Sequence, residues 1–365
     1  MTRREWLKEC GAVGALCLGG CATLKGAGGD DYSVIVLGDT HYDTAPASVF
    51  HAAYPGKDVD ARLEGIQRAE FARNGEMWRD RCPRLLAAAK RQRTADTAFA
   101  IQVGDLIQGD CNDGAVHAKM ASAAFDLLKK GLGGDLPLFL VVGNHDIRNG
   151  RHDDAAGFYR DWMVKRMTEE NRAPVASTNY ARMQGRDLWI YVDFTAPDLK
   201  MIEAALAAHK DARYRFLVTH GPALPSDCRS SRWMLFGGKR DEERRALRKL
   251  LMANDMIVVA GHTHTTELLE FRSGDGHAVQ IIANSVWKSD DLATIAPQYT
   301  TVDQYGTHQE KEDGKTLLAE YKPSLTRTWR SFAAGFFRLE VSDAGVRALF
   351  FGGDAATPRE TWRLR

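Results

Sequence analysis

Leu138-Phe139-Leu140-Val141-Val142-Gly143-Asn144-His145-Asp146 decides how this chain is read: five apolar residues run unbroken into a glycine, and three polar side chains follow. Such a run reads as a strand buried on both faces. The glycine permits a tight turn and a close backbone approach at its end. The same phrase occurs four more times. Residues 33–37 lead into Gly38-Asp39-Thr40-His41, and residues 98–103 into Gly104-Asp105. Residues 214–218 lead into Thr219-His220-Gly221-Pro222, and residues 256–260 into Gly261-His262-Thr263-His264.

Helical patterns separate these strands. Residues 83–90 open on Pro83, which suits a first helical turn; residues 120–130 repeat apolar side chains at helical spacing, and residues 197–210 are rich in Ala and Leu. Residues 241–252 carry charge on one side and Leu247, Leu250 and Leu251 on the other. Strand–helix alternation predicts an α/β fold. In open α/β sheets the ligand site lies at the carboxyl ends of the strands, where every one of these Asp, Asn and His residues falls. Residues 180–183 and 188–193 predict a further strand pair, and residues 335–340 and 346–351 a hairpin around Asp343-Ala344-Gly345. Residues 288–331 are polar and weakly periodic, and read as a loop-rich cover.

In extended backbone, residues two apart point to one side. Asp39 and His41 are therefore expected to reach one ion together, and His262 and His264 to share one site. Asp39, His41, Asp105, Asn144, His220, His262 and His264 offer seven mixed O/N donors, more than one tetrahedral or octahedral ion needs. Two ions sharing a bridging carboxylate would use them all, and two-metal sites suit in-line displacement at phosphorus.

The order DxH, GD, GNHD, H, GHxH resembles the calcineurin-like metallophosphoesterases, from Asp39 to His264. The pieces are individually weak and collectively specific. The resemblance implies a β-sandwich of two mixed sheets flanked by helices, four layers in the order α/β/β/α. It also implies dinuclear, metal-dependent hydrolysis of phosphate mono- or diesters by in-line attack of a metal-bridging hydroxide. By position, Asp39, His41 and His264 resemble the ligands of one metal, and Asn144, His220 and His262 those of the other. Asp105 resembles the bridging carboxylate. His145 matches the residue that binds no metal and protonates the leaving oxygen or steadies the transition state; Asp146 would orient its imidazole. The ions would be Fe, Mn or Zn, since such a donor set accepts all three. Purple acid phosphatases carry a Tyr ligand shortly after GD; Asp105-Leu106-Ile107-Gln108 has none, so no charge-transfer tyrosinate is expected. Two alternatives stay open: a phosphodiesterase or nuclease restricted to nucleotides, and a non-catalytic binding scaffold.

Beyond the motif, Arg148 and Asn149 follow GNHD and either meet a substrate phosphate, with Asn144, or lie in a solvated loop. Trp287, Tyr299, Tyr305 and Trp329 form either an aromatic platform for a base or sugar, or the packing of a lid. His51, His117, His152, His209, His277 and His308 follow no strand-and-glycine pattern and read as ordinary surface or core histidines.

Composition narrows the partners. The 365 residues are 44% hydrophobic and 27% charged, ordinary for a globular chain. Lys+Arg total 49 and Asp+Glu 48, a net charge of +1. No basic surplus marks a binder of long nucleic acids, so the expected partner is a small phosphoester. The chain opens Thr2-Arg3-Arg4-Glu5-Trp6-Leu7-Lys8, which resembles a twin-arginine export signal, and Leu18-Gly19-Gly20-Cys21 resembles a lipobox. The expected organisation is a signal over residues 1–20, a small-residue tether over 21–30 and a catalytic domain over 31–365. Membrane attachment would be by lipid on Cys21, giving a periplasmic or cell-envelope lipoprotein. Cys82, Cys111 and Cys228 either include one disulfide or are buried as small hydrophobes.

Overall fold

A computed structural model describes residues 30–43, 61–111, 113–148, 155–226, 231–238, 240–284, 297–307, 309 and 311–365. The export signal expected over residues 1–20, Cys21, Asn149, Cys228, Trp287, His51, His152 and His308 lie outside these residues.

The elements run β1 (Tyr32–Leu37), α1 (Ala61–Asp80), α2 (Cys82–Arg91), β2 (Thr97–Gln102), α3 (Gly114–Leu132), β3 (Leu138–Leu140), α4 (Ala155–Asn171), β4 (Tyr180–Gln184), β5 (Asp187–Val192) and α5 (Leu199–Ala208). They continue with β6 (Arg215–Thr219), α6 (Asp241–Ala253), β7 (Ile257–Ala260), β8 (Thr266–Ser273), β9 (Gly276–Ile282), α7 (Glu312–Tyr321), β10 (Leu325–Ser331), β11 (Gly335–Ser342), β12 (Gly345–Gly352) and β13 (Glu360–Arg363). One sheet has the order β13-β12-β11-β1-β2-β3 and the other β10-β8-β9-β7-β6-β5-β4. Both are mixed: β1, β2 and β3 run parallel, as do β5, β6, β7 and β9, with antiparallel strands outside them.

Strand alternation explains why the five apolar runs are unbroken. On β5, Trp189 and Tyr191 face the other sheet, while Leu188, Ile190 and Val192 join the opposite cluster beneath α5 and α6. Neither face sees water, so neither face is polar. Between the sheets, Trp189 stacks on Phe216 with centroids 3.8 Å apart and meets Phe99 edge-on at 5.0 Å. The Trp189 indole N–H donates to the Tyr32 hydroxyl at 2.9 Å, satisfying a polar group that burial would otherwise penalise. Residues of α2, α3 and α4 pack outside the first sheet, and residues of α5, α6 and α7 outside the second. The expected four layers are present.

Three expectations need adjustment. Residues 288–331 are not simply loops: they contain α7 and the edge strand β10, and Tyr299, Tyr305 and Trp329 are buried. These three rings pack in the core and build no open platform. Helices α1 and α4 were not expected, although Tyr159, Met163 and Met167 recur every four residues on α4 and are fully buried. The β8–β9 hairpin, joined at Gly274-Asp275, was also not expected.

The pole where the described chain begins is held by paired charges. Arg213 forks onto Asp187 at 2.9 and 2.7 Å and reaches Asp343 at 2.6 Å; Arg186 bonds Asp30 at 2.8 Å and also Asp343. Two-pronged geometry makes this a strong charge-assisted contact.

Candidate metal centre

All five glycine-containing turns meet at the opposite pole, on the carboxyl ends of β1, β2, β3, β6 and β7. The turns are tied by the carboxylates themselves. Asp39 accepts the His262 N–H at 3.0 and 3.1 Å, and Asp105 accepts the His145 N–H at 2.7 Å. The N–H groups of Thr40 and His41 donate to the Asp105 carbonyl at 3.0 and 2.8 Å. Gly143 allows the third turn to lie on the second: a Cβ there would stand 2.2 Å from both the N and Oδ1 of Asp105.

Three overlapping triads place donor atoms within 4.8 Å of one another: Asp39, His41 and His264; His41, Asp105 and His145; Asp105, His220 and His262. In the first, the His41 and His264 Nε2 atoms are 3.1 Å apart, and His264 Nε2 is 3.1 Å from Asp39 Oδ2. Ligands about 2.1 Å from a common ion sit roughly 3.0–3.4 Å from each other, so this spacing fits a cation. In the third, His220 donates Nδ1–H to the Val103 carbonyl at 2.9 Å, which turns Nε2 toward Asp105 Oδ2 at 3.2 Å. A ring held this way presents a lone pair to a metal. Asn144 sits between Gly143 and His145, with its Oδ1 buried and unpartnered. A buried orphan acceptor is costly, and a cation would satisfy it. The residues present therefore fit a metal pair.

Electrostatics point the same way. Burial would raise the Asp105 pKa, yet His220, His145 and His41 together hold it well below the usual carboxylate range. Asp39 follows the same balance, lowered against burial by His220 and His264. His220 is driven up to about 9 because Asp105 and Asp39 outweigh its burial. His262 is pushed down to about 3 by burial and by His220. Burial, then the Arg148 cation, holds His145 well below the usual imidazole range, so its ring is neutral near pH 7.

The backbone corrects one expectation. The two-apart argument assumed extended residues, but His41, His262 and His264 have φ of 44°, 70° and 53°, and Asp105 has 51°. This left-handed region is costly for side chains with a Cβ. It separates His262 from His264: the first joins Asp105 and His220, the second Asp39 and His41.

Asp146 also differs from expectation. Its carboxylate does not orient His145. It accepts backbone N–H bonds from Gly143 at 2.8 Å, Asp105 at 3.0 Å and Ile107 at 3.2 Å, pinning two turns together. Burial, then Asp105, raises its pKa to about 7 against those bonds. The His145 Nδ1 instead meets the Gln108 carbonyl at 2.9 Å and Arg148 at 2.8 Å. Arg148 is engaged through Nη2 by Asp110 at 2.6 Å and by His145 at 2.8 Å.

Two rings beside His262 went unread in the sequence. Phe194 lies with its centroid 4.9 Å from that imidazole and Trp233 at 4.5 Å, both half-buried. Phe194 follows β5, so the strand-end rule could have found it; nothing local marks Trp233. The other described histidines stay outside the centre: His117 contacts the Asp146 carbonyl from below, His209 caps α5, and His277 pairs with Asp255 and Glu270. Cys82 and Cys111 are buried, with burial pushing the Cys111 thiol up to about 11.

The sequence profile of the calcineurin-like phosphoesterases matches residues 32–266, more than half of the chain. No curated protein matches the chain by sequence. Among solved structures, the chain is similar to the purple acid phosphatase PPD1 from yellow lupin (Lupinus luteus) seeds. That likeness has a TM-score of 0.55 and 13% identity, and covers 93% of this chain and 55% of the other. PhoD is matched at a TM-score of 0.54 and 9% identity, over 93% of this chain and 69% of that one. At such identities the likeness is one of fold, and this chain spans little more than half the length of the lupin enzyme.

Proposed function

Because this chain belongs to the calcineurin-like phosphoesterase family, we propose that it is a dinuclear, metal-dependent hydrolase of phosphate mono- or diesters. The observation that carries the reading is that His264 Nε2 stands 3.1 Å from both His41 Nε2 and Asp39 Oδ2, which are themselves 4.0 Å apart, beside a second triad that contains Asp105. Asp39, His41 and His264 would hold one ion; Asn144, His220 and His262 the other; Asp105 would bridge them. When bound, the pair supplies a nucleophile near neutral pH and draws charge from the phosphoryl oxygens. The chain's own residues do the rest. Asp39 and Asp105 fix the turns that aim the ligands. Neutral His145 donates a hydrogen bond to the leaving oxygen, an electrostatic contribution that grows as water is excluded.

The test is metal analysis with activity. We expect two transition-metal ions (Fe, Mn or Zn) per loaded chain, and hydrolysis of p-nitrophenyl phosphate or its bis ester that a chelator abolishes. Fewer than one ion per chain would favour a binding scaffold. Phe194 and Trp233 beside His262 favour a narrower reading, hydrolysis of diesters bearing a nucleobase. In that case bis-p-nitrophenyl phosphate outruns the monoester, and Trp233→Ala raises KM for nucleotide diesters above all.

Residues 1–21 are proposed to export the protein and anchor it by lipid on Cys21, on the strength of Arg3-Arg4 and Leu18-Gly19-Gly20-Cys21. Labelled palmitate should enter the wild-type chain and not Cys21→Ala; equal labelling would remove the anchor.

A further inference from the structure

Trp233 and Phe194 come from different loops, yet both rings stand against His262. Gly221 makes the approach possible: a Cβ there would lie 2.2 Å from the Phe194 ring and 3.0 Å from the Trp233 carbonyl. Trp233 closes the single helical turn Ser231–Trp233, and the Leu235 N–H just after it donates to the Pro222 carbonyl at 2.8 Å. The loop so folds back onto the turn that carries His220, with the indole half-buried beside it.

What grips this loop from outside lies between residues 297 and 321, beyond the stretch that the family profile matches. Asp313, on the first turn of α7, accepts two bonds through Oδ2: from the Ser231 N–H at 3.0 Å and from the Ser231 hydroxyl at 2.9 Å. A carboxylate acceptor makes both bonds charge-assisted. Tyr305 donates its hydroxyl to the Pro225 carbonyl in a buried bond of 2.6 Å. Tyr305 and Leu317 also share one buried cluster with Met234, Leu235 and Phe236. The loop is thus held at Pro225 and Ser231 ahead of the indole, and at residues 234–236 behind it. A ring fixed in this way need not be ordered when a ligand arrives, and that is how preorganisation gains affinity.

We propose that residues 297–321 act as a specificity clamp: Tyr305 and Asp313 are positioning residues that hold Trp233 against His262, so that Trp233 and Phe194 form a ready-made wall for the nucleobase of a phosphodiester substrate. The part played by the wall rests on the hydrolase and nucleotide-diester readings above; the hold on Trp233 does not.

The test uses the full chain, first labelled with fluorotryptophan. The Trp233 fluorine line, identified by its loss in Trp233→Phe, is single and narrow in the wild type. It shifts or broadens when Tyr305→Phe and Asp313→Ala are combined, and Asp313→Asn, which keeps an oxygen for Ser231, leaves it in place. In the metal-loaded chain the probes are the p-nitrophenyl ester of thymidylate and methyl p-nitrophenyl phosphate, two diesters that share a leaving group. Trp233→Ala raises KM for the thymidylate ester about 5- to 100-fold, the worth of one base stacked on an aromatic ring. The combined variant raises it about 2- to 10-fold, because loosening these hydrogen bonds lowers the fraction of chains with the ring in place. The loss falls on KM and on the thymidylate ester in preference to the methyl ester, and the clamp substitutions cost nothing further once Trp233 is Ala. An unmoved fluorine line, equal losses on the two esters, or losses that multiply in the Trp233→Ala background overturn the proposal. Should the combined variant fail to fold, Ser231→Ala, which removes the hydroxyl end of the Asp313 tie, is read in the same way. An unchanged ester ratio in Trp233→Ala removes the nucleobase reading and the clamp's part in specificity with it. If the loaded wild type hydrolyses neither ester, the hydrolase reading falls, while the fluorine line still decides whether Tyr305 and Asp313 hold Trp233.

Discussion

The two poles of this molecule treat buried charge in opposite ways. At the pole holding Arg186 and Arg213, carboxylates meet guanidinium groups: Asp187, with no exposure, is forked by Arg213, and Asp343 is shared between the two arginines. At the other pole Asp39 and Asp105 are just as buried but face imidazoles, two of which, His41 and His264, bring their Nε2 atoms within 3.1 Å. Left-handed backbone is distributed as unevenly: of eight non-glycine residues with positive φ among those described, His41, Asp105, Asp110, His262 and His264 belong to the metal pole. One end is satisfied by arginines; the other carries backbone strain, and its two carboxylates are met by the His220 imidazole. Such conflict with local preference marks functional sites.

The sharpest way to break this contrast is to make the same change at each end. Asp105→Asn should abolish metal retention and lower kcat/KM by about a thousand-fold, the rate equivalent of the several kcal/mol a bound metal supplies. Asp187→Asn should leave activity intact yet lower unfolding free energy by about 3 kcal/mol in urea titration, because Arg213 loses its buried partner. If Asp187→Asn were the more damaging to activity, the division of labour would be wrong.

Gly143→Ala comes next. Its Cβ would press on the Asp105 amide and carboxylate, costing about 1–3 kcal/mol of stability and up to about a hundred-fold in kcat through a displaced bridging group. Full activity in this variant would show that Asp105 tolerates displacement.

Proton linkage sharpens the contrast further. His220 has a folded pKa raised from 6.5 to about 9, so its contribution to metal-free stability is complete below pH 6.5 and is lost as pH rises through about 9. Binding a metal must strip that proton. Calorimetry at pH 7 in buffers of different ionisation enthalpy should therefore register a proton released per chain on loading, and affinity should climb between pH 6.5 and 9. Affinity independent of pH over that range would contradict it. The smallest effect belongs to Arg186→Ala, half exposed, which should cost under about 1 kcal/mol and less at high salt.

Much of this was legible in the sequence. Unbroken apolar runs marked β1, β2, β3, β6 and β7, because a strand covered on both faces has no polar side to show. The glycine, Asp, Asn and His that follow marked the pole. What the letters did not carry was backbone direction: the left-handed turns at His41, His262 and His264 divided the histidines between two clusters against the extended-chain expectation. Contacts between separate turns were equally silent, which is why Asp146 was assigned to His145 while its carboxylate holds backbone amides. The Arg148–Asp110 pair and the rings of Phe194 and Trp233 arise from docking of segments distant in sequence, where no spacing rule reaches.

Asp30 and Asp31 are gripped by Arg186, Arg213 and the Asp343 amide, while Asp39, at the end of β1, lies about 25 Å away by strand rise. Any pull exerted through residues 1–29 would fall on that arginine knot first. If the proposed lipid on Cys21 moors the chain, the pull reaches the domain at Asp30, the far end of β1 from Asp39.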